Sequence, residues 1–124
     1  VAEAVHTVDP SLPVLGLAGS AFFDEANRLG LRTVAEAFAD RAYQPDGRLV
    51  PRMRPGAVLS DPAHIADRAL GMVRTGEVTA VDGTVIRIQV ESVCVHGDSP
   101  RSVEIAAAVR DQLLAGGVEL LAFA

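Results

Sequence analysis

Short runs of Val, Leu and Ala alternate along this chain with longer segments whose apolar residues recur at helical spacing, and that alternation constrains the fold more than any other feature. Leu12 to Leu17, Thr33 to Phe38, Val93 to Val95 and Val118 to Leu121 read as strands. Ala21 to Leu29, Pro62 to Thr75 and Arg101 to Ala115 read as amphipathic helices, with a shorter helical piece at Val1 to Thr7 stopped by Asp9-Pro10. Strands that alternate with helices build a parallel sheet flanked by helices, as an open sheet or as part of a barrel. These strands are too few to close a barrel. A half-barrel leaves raw sheet edges, which proteins cover, so self-association into a homo-oligomer is an expectation.

Local signals place the boundaries. Ser20 is a natural N-cap for the helix from Ala21, and Gly30 is its stop. Asp61-Pro62 opens the next helix, whose stripe is Ile65, Ala66, Ala69, Met72 and Val73, and Gly76 ends it. Ser99-Pro100 is read as the start of the last long helix, which turns Ile105, Ala106, Val109 and Leu113 inward before Gly116-Gly117. Val78 to Val81 and Thr84 to Ile88 flank Asp82-Gly83, the pattern of a β-hairpin with a type I′ turn. Ala39 to Leu59 is rich in Pro, Gly and Arg yet carries Tyr43, Leu49, Val50 and Met53. A loop of that length is functional or disordered, and its apolar content favours function.

Composition excludes several classes. The 124 residues fit one domain, and a net charge of −5 argues against nucleic acid as a partner. No apolar run approaches the roughly 20 residues of a membrane span, and no signal-peptide pattern stands at the start. The single cysteine, Cys94 between Val93 and Val95, allows no internal disulfide and reads as a buried structural thiol in a reducing, cytoplasmic compartment. Val1 falls within a helical pattern, so a piece of a longer protein is expected.

The chemistry gathers at strand ends. His96-Gly97-Asp98 lies between a strand and a helix, where parallel α/β proteins hold their ligands. The competing reading is that His96 and Asp98 cap the following helix. Glu36 and Asp40 fall on one face of the second strand and its extension, with Arg41 beside them, a pattern that serves acid/base work or a structural ion pair. Arg48, Arg52 and Arg54 can grip an anion bidentately or form a solvated basic patch. His6, His64 and His96 have no metal-ligand spacing, and His64 reads as a solvated helix-start residue. Gly16-Leu17-Ala18-Gly19-Ser20 lacks the Walker lysine and the dinucleotide pattern.

Four blocks carry a resemblance: Glu36-Ala37-Phe38-Ala39-Asp40-Arg41-Ala42-Tyr43, Asp46-Gly47-Arg48-Leu49-Val50-Pro51-Arg52, Pro55-Gly56-Ala57-Val58 and Cys94-Val95-His96-Gly97-Asp98-Ser99-Pro100. In that order they resemble the LamB/YcsF family, over essentially the whole chain and matching the C-terminal half of its members. The resemblance implies one domain piece over residues 1–124, part of an irregular (β/α) barrel related to the glycoside hydrolase/deacetylase fold. It implies hydrolysis of the lactam of 5-oxoproline to L-glutamate. ATP would be consumed by a complex that includes the 5-oxoprolinase B and C subunits, with metal dependence left open. The family's N-terminal half, with its own Asp- and His-bearing motifs, has no counterpart here.

For that reaction His96 is the expected proton-transfer group, imidazole being suited to moving protons near neutral pH. Asp98 or Asp40 would orient it or the water, with Glu36 as a further carboxylate. Arg41 or Arg52 would hold the substrate carboxylate. Tyr43 would donate to the ring carbonyl. Two other readings stand beside this one: a non-catalytic docking half of the complex, and a metal-dependent carbohydrate deacetylase.

Overall fold

Helix α3, Pro62–Thr75, shows most plainly how local chemistry sets this architecture. The Asp61 carboxylate accepts from the His64 N–H at 3.3 Å, Pro62 occupies the first turn, and Gly76 ends the helix in the left-handed region at φ 65°. Its buried stripe of Ile65, Ala66 and Ala69 packs with Ile105, Val109 and Leu113 of helix α4, Ser102–Ala115. In this computed structural model, which describes residues 1–123, that helix pair is the main core.

The remaining elements are α1 (Ala2–Val8), β1 (Val14–Gly16), α2 (Ala21–Arg28), β2 (Thr33–Phe38), β3 (Glu77–Thr79), β4 (Val85–Arg87) and β5 (Ser92–Cys94). Strands β1, β2 and β5 form a parallel sheet with β2 in the centre. The expected mixed α/β architecture is therefore observed, a parallel sheet flanked by helices as in a (β/α) barrel-like fold. In β2, Ala37 packs with Met72 of α3, and Ala39 just beyond the strand joins the α3–α4 core. Alternation then turns Glu36 and Phe38 to the opposite face, together with their register partners Ser92 and Cys94. That face leads to the site.

Five expectations are corrected. The last helix does not begin at Ser99-Pro100 but at Ser102. Ser99 to Ser102 form a separate turn, closed by the Ser102 N–H on the Ser99 carbonyl, and Arg101 precedes the helix at φ 68° without a side-chain cap. A missing cap forgoes about 1 kcal/mol, whereas burying Ile105, Val109 and Leu113 contributes about 1.5–3 kcal/mol each. Packing decides, so α4 forms regardless. Ala106 is exposed rather than inward. Val118 to Leu121 is not a strand, having no partner strand among the described residues, although Val118 still packs on the α3–α4 core. The first strand candidate, Leu12 to Leu17, shrinks to Val14–Gly16, since β2 pairs with it only over Thr33 to Ala35.

The hairpin exists but its turn is not type I′. The Ala80 N–H donates to the Thr84 carbonyl and the Gly83 N–H to the Ala80 carbonyl, leaving a three-residue loop. Only Gly83, at φ 90°, takes the left-handed conformation, whereas type I′ requires it of Asp82 too. Asp82 instead accepts from the Thr84 N–H.

Candidate active site at the sheet rim

Adjacent parallel strands deliver one residue each to the same point. Asp40 follows β2 by two residues and His96 follows β5 by two, and both carboxylate oxygens of Asp40 lie 2.8 Å from His96 Nδ1. The His96 main-chain N–H also donates to Asp40 Oδ2 at 3.4 Å. Asp40 is only 1% exposed, and the imidazole is stacked on Phe38 with ring centroids 5.9 Å apart. An ionised carboxylate only accepts, so Asp40 places the shared proton on Nδ1 and leaves the Nε2 lone pair outward. Nε2 has no protein partner among the described residues. Such a nitrogen can take a proton from water or return one to a leaving group. The helix-capping reading of His96 and Asp98 falls away, because α4 starts six residues after His96.

Asp98 stands at the same rim and accepts from Arg52 Nη2 at 2.7 Å. That hydrogen bond, ahead of the arginine's charge, holds Asp98 below the ordinary carboxylate value. Of the loop arginines expected to grip an anion, Arg52 thus reaches the rim, while Arg48 leans on Asp46 at 3.8 Å.

Other expected residues are placed elsewhere. Arg41 is turned to the backbone of the long loop. Its guanidinium is buried and donates to the Val50 carbonyl at 2.8 Å and the Ala57 carbonyl at 3.3 Å, tying together the long loop. Tyr43 is 1% exposed, and its hydroxyl accepts from the Phe38 N–H at 2.9 Å, so it braces β2 rather than reaching for a ring carbonyl. Glu36 lies within β2, four residues before Asp40. It lines a separate cavity of about 290 Å³ with Leu17, Tyr43, Asp46 and Arg87. Burial, then the charge of the neighbouring Glu36, pushes the Cys94 thiol up to about 12, as befits a structural cysteine.

Nothing in the sequence singles out Arg68, because on a helix a charged residue beside the apolar stripe reads as solvated. It is instead partly buried and donates through Nη1 to the Ala39 carbonyl at 2.6 Å and the Phe38 carbonyl at 3.2 Å. A hollow of about 680 Å³ between α3 and the hairpin is lined by His64, Arg68, Met72 and Val78 and includes neither Asp40 nor His96. No group of three His, Cys, Asp or Glu among the described residues is arranged to hold a metal ion. The Ser20 hydroxyl accepts from the Phe23 N–H, so the glycine-containing turn before α2 is closed by its own cap.

Sheet and rim together define an α/β protein with an Asp–His pair at the carboxyl ends of parallel strands. The chain belongs to the LamB/YcsF family, whose match covers residues 1–124. It is 73% identical over 123 residues to the 5-oxoprolinase A subunit of Mycobacterium avium, covering 99% of this chain and 49% of that protein. Identity to the 5-oxoprolinase A subunit of Mycobacterium leprae is 64% over the same shares. A solved lactam utilization protein from Thermus thermophilus superposes with a TM-score of 0.92 at 44% identity, covering 98% of this chain and 48% of that one. The chain thus spans about half the length of the relatives it matches.

Proposed function

We propose that this chain forms the C-terminal half of a barrel domain in the A subunit of an ATP-dependent 5-oxoprolinase, where it opens the lactam of 5-oxoproline to L-glutamate. The names borne by the relatives and by the lactam utilization protein support that reading. The observation that carries it is the contact of both Asp40 carboxylate oxygens with His96 Nδ1 at the strand ends.

Opening a lactam requires a water to lose a proton as it attacks the carbonyl and the ring nitrogen to gain one as the C–N bond breaks. His96 Nε2 takes the first proton and returns it to the nitrogen, while Asp40 fixes the tautomer and stabilises the imidazolium. Arg52, held at the rim by Asp98, grips the substrate carboxylate. ATP is the co-substrate of the assembled complex and supplies the driving force for cleaving a stable amide. The B and C subunits are its partners, in the cytoplasm. No helix among the described residues is long and apolar enough to cross a membrane.

Reconstitution tests this. The full-length protein mixed with its B and C subunits releases glutamate from 5-oxoproline only when ATP is supplied, and omission of the protein bearing this chain abolishes release. Glutamate release by B and C alone would contradict the proposal.

A further inference from the structure

We infer that Arg68 is a positioning residue for the Asp40–His96 pair, acting through the backbone that carries Asp40. The inference rests on the functional reading above for its kinetic consequence, but not for its structural one. Asp40 lies two residues beyond the last residue of β2, where the pairing with β5 is reduced to one long bond, from the Ala39 N–H to the Cys94 carbonyl at 3.4 Å, and the Asp40 carbonyl accepts from the Leu59 N–H at 2.8 Å. Three side-chain contacts reinforce this stretch. Arg68 Nη1 donates to the Phe38 and Ala39 carbonyls, at 3.2 and 2.6 Å. The Tyr43 hydroxyl accepts from the Phe38 N–H at 2.9 Å. The Arg68 guanidinium lies 5.5 Å from the Tyr43 ring centroid, so the two clamping residues also hold one another.

Two features separate this clamp from ordinary helix-surface bonding. Arg68 has no carboxylate partner among the described residues, and its short bond goes to the carbonyl of the residue immediately before Asp40. A guanidinium can serve two carbonyls from one nitrogen while keeping its plane against an aromatic ring, which an ammonium cannot. Phe38, whose two backbone groups are both clamped, also stacks on the His96 ring. The clamp therefore sets both halves of the pair.

The test uses the full-length protein assembled with its partner subunits, with the variants Arg68→Met, Arg68→Lys and Arg74→Met. Arg74 is on the same helix and bonds the Gly116 carbonyl at 2.8 Å, remote from the rim. Two quantities are read: the downfield Nδ1–H proton resonance of His96, and kcat and KM for 5-oxoproline. Misplacing a proton-transfer group by about an ångström costs on the order of tenfold to hundredfold in rate. Arg68→Met is expected to shift or broaden the resonance and to lower kcat by that factor with KM within about twofold. Arg68→Lys is expected to fall between it and wild type, and Arg74→Met to match wild type. If Arg68→Met does not fold, Arg68→Lys decides on the same two scales. An unmoved resonance in the Arg68 variants overturns the inference, as does an equal kcat loss in Arg74→Met. A shifted resonance with unchanged kcat leaves the clamp standing and contradicts the catalytic reading of His96 instead.

Discussion

Asp40 and His96, 56 residues apart in sequence, meet with both carboxylate oxygens of the first 2.8 Å from Nδ1 of the second. The approach is a consequence of parallel pairing. Register aligns Phe38 with Cys94, and the Ala39 N–H on the Cys94 carbonyl at 3.4 Å carries the pairing one residue further, which brings Asp40 and His96 side by side just past the strand ends. A buried acceptor and a half-buried imidazole in that arrangement fix one tautomer.

Replacing Asp40 by Asn keeps the volume but offers an N–H where Nδ1 needs an acceptor. The imidazole then turns or changes tautomer. Glutamate release by the full-length complex should fall by about 10²–10⁴ with little change in melting temperature. Activity within about threefold of wild type, well short of that range, would show that the carboxylate is not needed to orient His96.

Arg41 should behave as a structural residue. Arg41→Met strands the buried Val50 carbonyl and leaves the Ala57 carbonyl with only the Ala42 N–H. Two lost charge-assisted bonds predict about 2–4 kcal/mol of destabilisation in urea, with KM for 5-oxoproline unchanged in the protein that remains folded. A raised KM without loss of stability would return Arg41 to the substrate.

Cys94 should be inert. With its thiol pushed up to about 12 by burial and the Glu36 charge, the thiolate is scarce at neutral pH. Native protein should react with iodoacetamide far more slowly than urea-unfolded protein does. Glu36→Gln should speed the native reaction, because the second cause of the raised value is gone. Equal rates in native and unfolded protein would remove the account of Cys94 as a shielded, partly buried thiol.

The Arg52–Asp98 pair gives a pH signature with a defined sign. Asp98 is held below its ordinary value of 3.8, chiefly by the hydrogen bond from Arg52. A lowered value means the pairing is fully present above that pH and is lost only as pH falls through the native value. Carbon-detected titration of the Asp98 carboxyl should give a midpoint below 3.8 that rises in Arg52→Ala and in high salt, the pair being exposed. Arg52→Lys should raise KM more than it lowers kcat, as the bidentate grip is lost.

The same residues explain what is legible in the sequence. Helix α3 is readable to the residue because Asp61, Pro62 and Gly76 act within one turn of its ends. Strand β2 is equally clear, and so is the joint position of Asp40 and His96 at a shared rim. The start of α4 is not, since Ser99-Pro100-Arg101 carries the signs of a cap yet closes a turn of its own. Val118 to Leu121 has strand composition, but a strand exists only with a partner. The backbone-supporting roles of Arg41, Tyr43 and Arg68 escape the sequence for one reason. Each side chain is occupied by backbone groups that only the tertiary fold brings near, at separations of 5 to 30 residues. Polar side chains turned to backbone support leave no periodic signal.

The central claim is that His96 moves the proton in ring opening. Its most direct measurement is the rate of ATP-dependent glutamate release from 5-oxoproline by the full-length complex carrying His96→Ala, with His64→Ala as the control at an exposed helix start. The account predicts a fall of about 10²–10⁴ for His96→Ala, with circular dichroism unchanged, and wild-type turnover for His64→Ala. Full activity in His96→Ala would contradict it and leave this stretch of the protein as scaffold.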